Sequence, residues 1–329
     1  MAASNATPTL DWGPLLSSTL MAYLDSGKLH DQVFTSSALL KWLRGGKRIR
    51  VMNGGERLRL ALLTEGSGNF KRYGSYETLD TTPATGQTNA FFNWKQAATT
   101  VSINGLEKRS NQGEARVRDL AKDKVMQSQA TLAENIATDV VSDGGLDANK
   151  QITGLAAMLP DDPTTNTTYA DINQSTNAVW RNQVQLTVGA GAVNLVPKLR
   201  TLFNDCQDGQ SDTSAPDGLF MPQAVHEIAE SVIVPAIRYS GGGGDGEMSI
   251  NPVFRGAEMQ WDEHVQGGVL YALNSNHIFF FVHRDANFTM NPEGFQRPHN
   301  QDAMIAQILF QGNLGTNNRR KLGKLAGIS

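Results

Sequence analysis

Cysteine is almost absent from this sequence, and so are long apolar runs. The single cysteine, Cys206, excludes an intrachain disulfide and any zinc site built from several cysteines of one chain. The first 30 residues lack a basic start followed by an apolar run. The longest purely apolar run in the C-terminal half, Ile278–Val282, is too short to span a bilayer. We therefore expect a soluble protein that carries no secretion signal and makes no membrane contact.

A large excess of one charge is also missing. The formal net charge of −3 and the isoelectric point near 6.1 lack the basic excess of dedicated nucleic-acid-binding proteins. Tight DNA wrapping is therefore not expected. What the 329 residues do contain is 40% apolar residues and 32 glycines, with many Asn, Thr and Gln, which is typical of a globular chain rich in strands and loops. Strand-like and helix-like segments are mixed along the chain, so the predicted fold class is α+β.

Residues 45–105 predict an extended, two-stranded projection. Apolar positions alternate with a period of two from Lys47 to Leu62, a polar stretch rich in glycine follows, and a returning strand carries Phe92 and Trp94. An isolated two-stranded ribbon is only marginally stable in water, so its apolar side needs a partner surface. One hypothesis is that a neighbouring copy supplies that surface; the alternative is the sheet of the hairpin's own domain. The residues predicted to contact a neighbouring copy are Leu58, Leu60, Leu62, Phe92 and Trp94.

A long helix is predicted after the projection. Asn111 followed by Glu114 resembles a capping box, and no proline follows before Asp143. The helix over residues 112–142 would be about 45 Å long at 1.5 Å per residue. Its apolar stripe does not sustain heptads, so a spine for other layers is favoured over a coiled coil.

The remaining segments alternate between helix and strand patterns. Leucines at helical spacing occur in Leu15–Leu24 and again in Ala38–Leu43, which ends at two glycines. Pro235 should stop or kink the helix that begins at Gln223. The C-terminal residues 302–327 show little periodicity. Further predicted elements are the strands Val184–Val188, Leu219–Met221, Val253–Phe254, Gly268–Leu273 and His277–Val282, and the helix Leu195–Phe203.

Gly189–Asn194 lies between a predicted strand and a predicted helix, where a dinucleotide-binding G-x-G-x-x-G motif would stand. Asn194 replaces the last glycine, and the surrounding chain does not alternate strand and helix as a doubly wound sheet does. A tight strand-to-helix turn is therefore favoured, with a degenerate nucleotide site as the alternative.

Two further features of the sequence could carry chemistry. His226 and Glu230 share a helix face as in half of a zinc-protease motif, but the second histidine and a third ligand are missing. Cys206 falls in a polar stretch, which favours a surface or interface thiol over a nucleophile. No catalytic, cofactor-binding or metal-binding residue is therefore predicted.

Two local clusters of basic residues remain. Their hypothetical role is a weak, sequence-independent contact with phosphates or with acidic patches on neighbouring subunits; the alternative is a solvated surface. The residues proposed for these contacts are Lys47, Arg48, Arg50, Arg319, Arg320 and Lys321.

The order of these parts, together with several local phrases, resembles the major capsid proteins of tailed double-stranded DNA bacteriophages, which share the Hong Kong 97-like capsid fold. None of the phrases is a catalytic signature, so the resemblance rests on their order. The phrases are Thr35–Leu43, Asn53–Leu58, Ala90–Lys95, Ser175–Asn182, Gly268–Asn274 and Asn300–Ala303.

That resemblance implies a subunit of an icosahedral shell, built from hexamers and pentamers and found in the virion after synthesis in the host cytoplasm. Its implied partners are copies of itself, packaged DNA through non-specific contacts, and scaffolding, portal and decoration proteins. Some members cross-link a lysine to an asparagine; Lys71 and Lys95 lie on the projection, and this point stays open. The implied parts are an N-terminal arm (1–45), an extended loop (46–105), a peripheral domain (106–194) with the spine helix, an axial domain (195–275) and a return to the peripheral domain (276–329).

Two other functions stay open at this point. One is an enzyme with the degenerate dinucleotide-binding turn at 189–194, and the other is a different structural component of a virion.

Overall fold

The computed structural model describes residues 37–45, 48–83, 85–110, 120–165, 167–186, 188–207, 209, 215–240, 252–291 and 294–329. The chain divides into two compact units. The described residues of the first unit fall within Ala98–Ala133 and Phe288–Leu309. All other described residues belong to the second unit. The predicted helical segment Leu15–Leu24, the predicted helix start at Asn111, Lys47 and the glycines 241–244 lie outside the described residues.

The described residues form both helices and strands, as the α+β prediction requires. Apart from a single turn at Leu146–Asn149 with three residues at positive φ, the helices are α1 (Ala38–Arg44), α2 (Gly105–Ser110), α3 (Leu120–Val141), α4 (Leu155–Met158), α5 (Gly191–Cys206) and α6 (Gln223–Ser240). The strands are β1 (Ile49–Met52), β2 (Arg57–Leu63), β3 (Gln87–Asn93), β4 (Lys95–Asn104), β5 (Thr168–Tyr169), β6 (Ile172–Asn173), β7 (Gln183–Gln185), β8 (Gly218–Met221), β9 (Val253–Phe254), β10 (Ala257–Trp261), β11 (Val269–Leu273), β12 (Ile278–Met290), β13 (Ala303–Thr316) and β14 (Gly323–Ala326). Single turns of 3₁₀ helix occur at Ala178–Trp180 and Arg319–Lys321.

A mixed six-stranded sheet in the order β7-β14-β11-β8-β10-β9 organises the second unit. Strand β14 pairs with β11 antiparallel and with β7 parallel. Helices α5 and α6 bury their apolar sides in the core of this sheet, which includes Leu199, Phe203 and Ala229. Strands β7 and β14 lie outside 195–275 and the other four strands of the sheet lie within it, while the axial-domain boundaries themselves stay a prediction.

A four-stranded sheet has the order β1-β12-β13-β4. Strand β1 pairs with β12 in parallel, with Ile49 opposite Phe280 and Val51 opposite Val282. The prediction placed Ile49 and Val51 in the hairpin; that placement is wrong, because β1 belongs to this sheet. Strand β13, with 14 residues, was not predicted at all.

The hairpin itself is shorter than predicted. Strands β2 and β3 pair antiparallel as a separate two-stranded sheet, with Leu58 opposite Phe92 and Leu63 opposite Gln87. The two-stranded part therefore spans residues 57–93, and the connection 64–86 contains no strand in its described residues.

The long helix ends where it was predicted to end. Helix α3 stops at Val141, just before Asp143 and two glycines, and Ile136 and Val140 on its apolar side are buried. Proline 235 does not stop helix α6, which continues to Ser240. A proline removes one backbone hydrogen bond from a helix interior, and a helix of 18 residues can retain its other bonds.

The first unit is held in part by charged contacts. Asp302 accepts hydrogen bonds from Arg109 at 2.9 Å and from Arg297 at 2.7 Å, while Lys124 on α3 forms an ion pair with Glu107 on α2. The buried side chains of Val101 and Ile103 on β4 add apolar packing.

Candidate assembly surfaces

The base of the hairpin is packed against its own chain. Leu58, Leu62 and Phe92 are buried, and the Phe92 ring lies 5.8 Å from the Tyr169 ring and 6.1 Å from the Phe281 ring. The hypothesis that these three side chains need a neighbouring copy for their burial is therefore wrong. Leu60 and Trp94 are only partly buried, so their contact with a neighbouring copy stays a prediction.

Polar contacts fix the same base to the turn between β5 and β6. The Arg57 guanidinium lies 2.6 Å from the Asp171 carboxylate, and the Phe91 amide donates to the Ala170 carbonyl at 3.0 Å. Ala170 and Asp171 both have positive φ, as a two-residue hairpin turn often requires. The hairpin thus starts from a defined platform within its own subunit.

The connection at the tip of the hairpin exposes aromatic side chains. Phe70 is 77% exposed, Tyr73 is 67% exposed and Tyr76 is fully exposed, while Leu79 nearby is also exposed. Contiguous exposed apolar surface on a soluble chain often marks an interaction site. We name residues 64–86 the tip loop. The polar, glycine-rich composition of this stretch does not point to an apolar surface, although its three aromatic residues within seven positions are a signal for one.

The edge strand β1 exposes a second apolar surface. It stands at the end of the four-stranded order, and Val51 is 57% exposed with Met52 beside it also exposed. An edge strand presents backbone groups that can pair with another chain. Arg50 on this strand is exposed as well and lies over the Phe279 ring at 3.6 Å.

The predicted C-terminal basic cluster is mostly buried, which corrects its assignment as a contact for DNA or neighbours. Arg319 is 0% exposed, and it donates to the Met158 carbonyl at 2.8 Å, to Gln174 Oε1 at 3.2 Å and to Asn182 Oδ1 at 3.4 Å. Its guanidinium also lies 4.9 Å from the centre of the Tyr169 ring. Burial lowers the pKa of Arg319 to about 10, so the side chain stays protonated at neutral pH.

Lys321 is buried too, while Arg320 is exposed. Arg48 in the other basic cluster makes contacts within its own chain. It donates hydrogen bonds to the carbonyls of Trp42 and Gly45, and its guanidinium lies 3.8 Å from the centre of the Trp42 ring. Among the described members of the six residues proposed for these contacts, Arg50 and Arg320 are the exposed ones.

The segment 189–194 forms a tight turn into α5. Gly189 has a φ of 64°, and its amide and carbonyl bond the C-terminal residues Gly327 and Ser329. The Asn194 amide donates to the Val188 carbonyl at 2.9 Å. The neighbouring sheet is mixed and not doubly wound, so the context that a dinucleotide site requires is missing from the described residues.

Cys206 and His226 are both buried. Cys206 ends helix α5 in the core, so the prediction of a surface or interface thiol is wrong, and burial raises the pKa of the thiol to about 12. His226 Nδ1 lies 3.5 Å from the Glu230 carboxylate. Within the described ranges, no group of three or more His, Cys, Asp or Glu residues is arranged to hold a metal ion.

Lys71 and Lys95, the two lysines considered for a cross-link, have partners in their own chain. Lys71 lies 3.0 Å from the Glu77 carboxylate, and Lys95 donates to the Asn149 carbonyl. Whether either lysine forms a cross-link stays open. None of the helices in the described part of the chain combines the length and apolar character that a membrane crossing requires.

No family model matches the sequence, and no curated protein matches it. Solved structures are similar over almost the whole chain. The capsid protein of cyanophage A-1(L) has a TM-score of 0.66 at 14% identity and covers 96% of this chain and 99% of its own. The capsid protein of a native GTA particle has a TM-score of 0.58 at 13% identity, covering 99% and 100%. The SrpI encapsulin of Synechococcus elongatus PCC 7942 has a TM-score of 0.58 at 9% identity, covering 96% and 95%.

These similarities lie far below the identity at which function can be inferred, but they show the fold. The chain has the α+β fold of phage capsid proteins, which confirms the fold that the sequence resemblance implied. The SrpI encapsulin is similar to this chain in fold as well.

Proposed function

We propose that this protein is a major capsid protein that self-associates into the icosahedral shell around the double-stranded DNA genome of a tailed bacteriophage. The observation that carries the proposal is the capsid fold over nearly the full chain, combined with a hairpin whose base is anchored and whose tip is exposed. In the proposed shell, hexamers and pentamers form through contacts that repeat around each ring.

The tip loop is the proposed contact with the next copy. Phe70, Tyr73 and Tyr76 together present apolar surface that the described residues of their own chain leave uncovered. Aromatic side chains combine a large contact area with few rotatable bonds, which suits them to interfaces. Leu60 and Trp94, partly buried nearer to the base, extend the proposed contact.

The remaining partners follow from the same proposal. The shell forms inside the host cytoplasm and ends in the virion, with scaffolding, portal and decoration proteins as further partners. Contacts with packaged DNA are weak and non-specific, and the exposed residues Arg50 and Arg320 are the described members of the basic clusters that suit them.

Deletion of residues 66–86 tests the role of the tip loop. Leu63 pairs with Gln87, so joining Glu65 to Gln87 leaves a two-residue connection, the length that commonly closes a hairpin. We expect a folded subunit with the circular dichroism and melting temperature of the wild type, but no shells by electron microscopy. Wild-type-like shells from the deletion would contradict the proposed contact.

A triple substitution separates surface chemistry from loop length. Phe70→Ser, Tyr73→Ser and Tyr76→Ser together should strongly reduce the yield of shells, because they remove the apolar surface and keep the chain length. The matched control changes Ser67→Ala and Ser75→Ala in the same loop and should assemble as the wild type does. The genome-enclosing role is tested separately by extracting nuclease-resistant double-stranded DNA from particles; shells that form but never protect DNA would contradict it.

A further inference from the structure

Helix α1 has seven residues, follows its N-cap Ser37 and is too short to be stable by itself. It buries Leu39, Leu40 and Leu43, and the Trp42 ring meets the Phe220 ring edge-on at 5.3 Å. Its N-terminus is held by a carboxylate from a distant part of the sequence. Asp262 Oδ2 accepts from Ser37 Oγ at 2.6 Å and from the Leu39 amide at 2.9 Å.

Asp262 belongs to a chain of three charged side chains. Its other oxygen, Oδ1, accepts from the His264 amide at 3.0 Å and lies 2.9 Å from His264 Nδ1. The second ring nitrogen, Nε2, lies 3.0 Å from Glu134 Oε1 on helix α3. The His264 side chain is only 8% exposed and the Asp262 side chain is fully buried, so the contact between them is shielded from water, while the Glu134 side chain is 30% exposed.

This geometry requires a protonated imidazole. An ionised carboxylate can only accept hydrogen bonds, and a neutral imidazole has one donor nitrogen and one acceptor nitrogen. With a carboxylate at each ring nitrogen, both nitrogens must donate, which only the imidazolium does. We propose that His264, bridging Asp262 and Glu134, is a pH-dependent latch that holds the start of helix α1 closed at acidic to neutral pH and loosens it at higher pH.

The charged groups around the His264 ring favour its protonated form, as the proposed pH dependence requires. Burial by itself would lower the pKa of His264, but the hydrogen bonds and charges of Asp262 and Glu134 outweigh it and raise the pKa above its usual value. These two carboxylates are the charged groups that act on the ring from the described part of the chain, and α1 contributes the neutral groups of Ser37 and Leu39. A raised histidine pKa stabilises the folded form fully below about pH 6.5, and the stabilisation is lost as the pH rises through the raised value.

Asp262 sets the acidic limit of the same latch. Burial would raise the pKa of its carboxyl, but the hydrogen bonds from Ser37, Leu39 and His264 outweigh burial and lower the pKa. A lowered carboxyl pKa contributes stability above about pH 4, and that contribution is lost as the pH falls through the lowered value. The latch is therefore fully closed between about pH 4 and pH 6.5.

Hydrogen–deuterium exchange of the full-length chain tests the latch. The reporter is a peptide covering residues 35–45, because the Leu39 amide is itself a donor to Asp262 and the first two residues of a peptide do not retain deuterium. After correction for intrinsic exchange rates, we expect its protection to fall roughly tenfold between pH 6 and pH 9, the order expected from losing one charge-assisted hydrogen bond. His264→Gln should abolish this pH dependence, and Glu134→Gln should move the loss of protection to lower pH.

His277→Gln is the matched control, because His277 Nδ1 meets the neutral amide oxygen of Asn317 at 2.8 Å, so this variant should behave as the wild type. Protection that stays constant from pH 6 to pH 9 in the wild type would overturn the proposal, and so would a pH dependence that persists in His264→Gln. If His264→Gln does not fold, an unchanged midpoint in Glu134→Gln overturns it instead. The measurement concerns a segment within one chain, so failure to form shells would not affect it.

Discussion

Replacing Arg319 with alanine would remove a guanidinium that joins three separate stretches of the chain. Its donors meet oxygens of Met158, Gln174 and Asn182, and its charge lies over the Tyr169 ring. Alanine cannot reach any of these groups. Three buried oxygens would lose a donor, and a cavity would remain where the long side chain was packed.

The size of the effect can be estimated from these contacts. A hydrogen bond from a charged donor contributes about 1.5–3 kcal/mol, and the 3.4 Å contact to Asn182 is the weakest of the three. Burial of the cation, which lowers the pKa of Arg319 to about 10, offsets part of the gain. We therefore expect Arg319→Ala to lower the free energy of unfolding by about 3–5 kcal/mol. That is a large share of the roughly 5–15 kcal/mol that stabilises a typical domain.

Urea denaturation of the unassembled subunit measures this difference, with tryptophan fluorescence as the signal because Trp180 lies beside the guanidinium. Arg320→Ala is the matched control: the neighbouring side chain is exposed, and its loss should change stability by less than about 0.5 kcal/mol. Arg319→Lys should fall between the two, because an ammonium cannot reproduce the planar set of donors. Equal stability of Arg319→Ala and Arg320→Ala would refute the structural role assigned to Arg319.

Two further predictions follow from close packing. Gly154→Ala should destabilise the subunit by about 2 kcal/mol or more, because a Cβ there would meet the backbone carbonyls of Asp139, Val140 and Ser142. Gly267→Ala is the control and should change stability little, because the space around Gly267 is open. Equal melting temperatures of the two variants would contradict the close packing around Gly154. Cys206 should not react with thiol reagents at pH 8 in the folded subunit, because burial raises the pKa of its thiol to about 12, and it should react once urea unfolds the subunit. Rapid labelling of the folded subunit would contradict this prediction by showing that the thiol is accessible.

The sequence predicted those elements whose signals are local. The end of helix α3 before Asp143 and its glycines, the two strands of the hairpin and the short strand β9 all follow from periodicity and turn residues. Strand β13 was missed, because its Asn313 and Gly315 interrupt the alternation. The three-dimensional structure explains why Asn313 and Gly315 occur in this strand. Asn313 bonds the backbone of Asn93 and Thr153, and Gly315 leaves room for the Phe92 and Phe281 rings.

Charged residues were the least predictable part of the candidate surfaces. A run such as Arg319–Lys321 has the composition of a solvated basic patch, and nothing local distinguishes a buried arginine from an exposed one. The oxygens that satisfy Arg319 come from positions 137 to 161 residues away. Burial of this kind depends on long-range contacts, which a single sequence does not show.

The corrected position of the hairpin strengthens the proposed mode of assembly. If the whole hairpin depended on a neighbour, the free subunit would carry an unsupported ribbon. Instead Leu58, Leu62 and Phe92 at the base are buried within their own chain, so the contact proposed for another copy is made mainly by the tip loop. Burying Phe70, Tyr73 and Tyr76 would contribute about 1.5–3 kcal/mol each, while association itself costs roughly 4–15 kcal/mol. One such contact would leave a pair of subunits weakly bound, whereas a closed ring repeats the contact at every subunit. A subunit built in this way should stay monomeric at low concentration and assemble cooperatively above a threshold, which light scattering over a dilution series would measure.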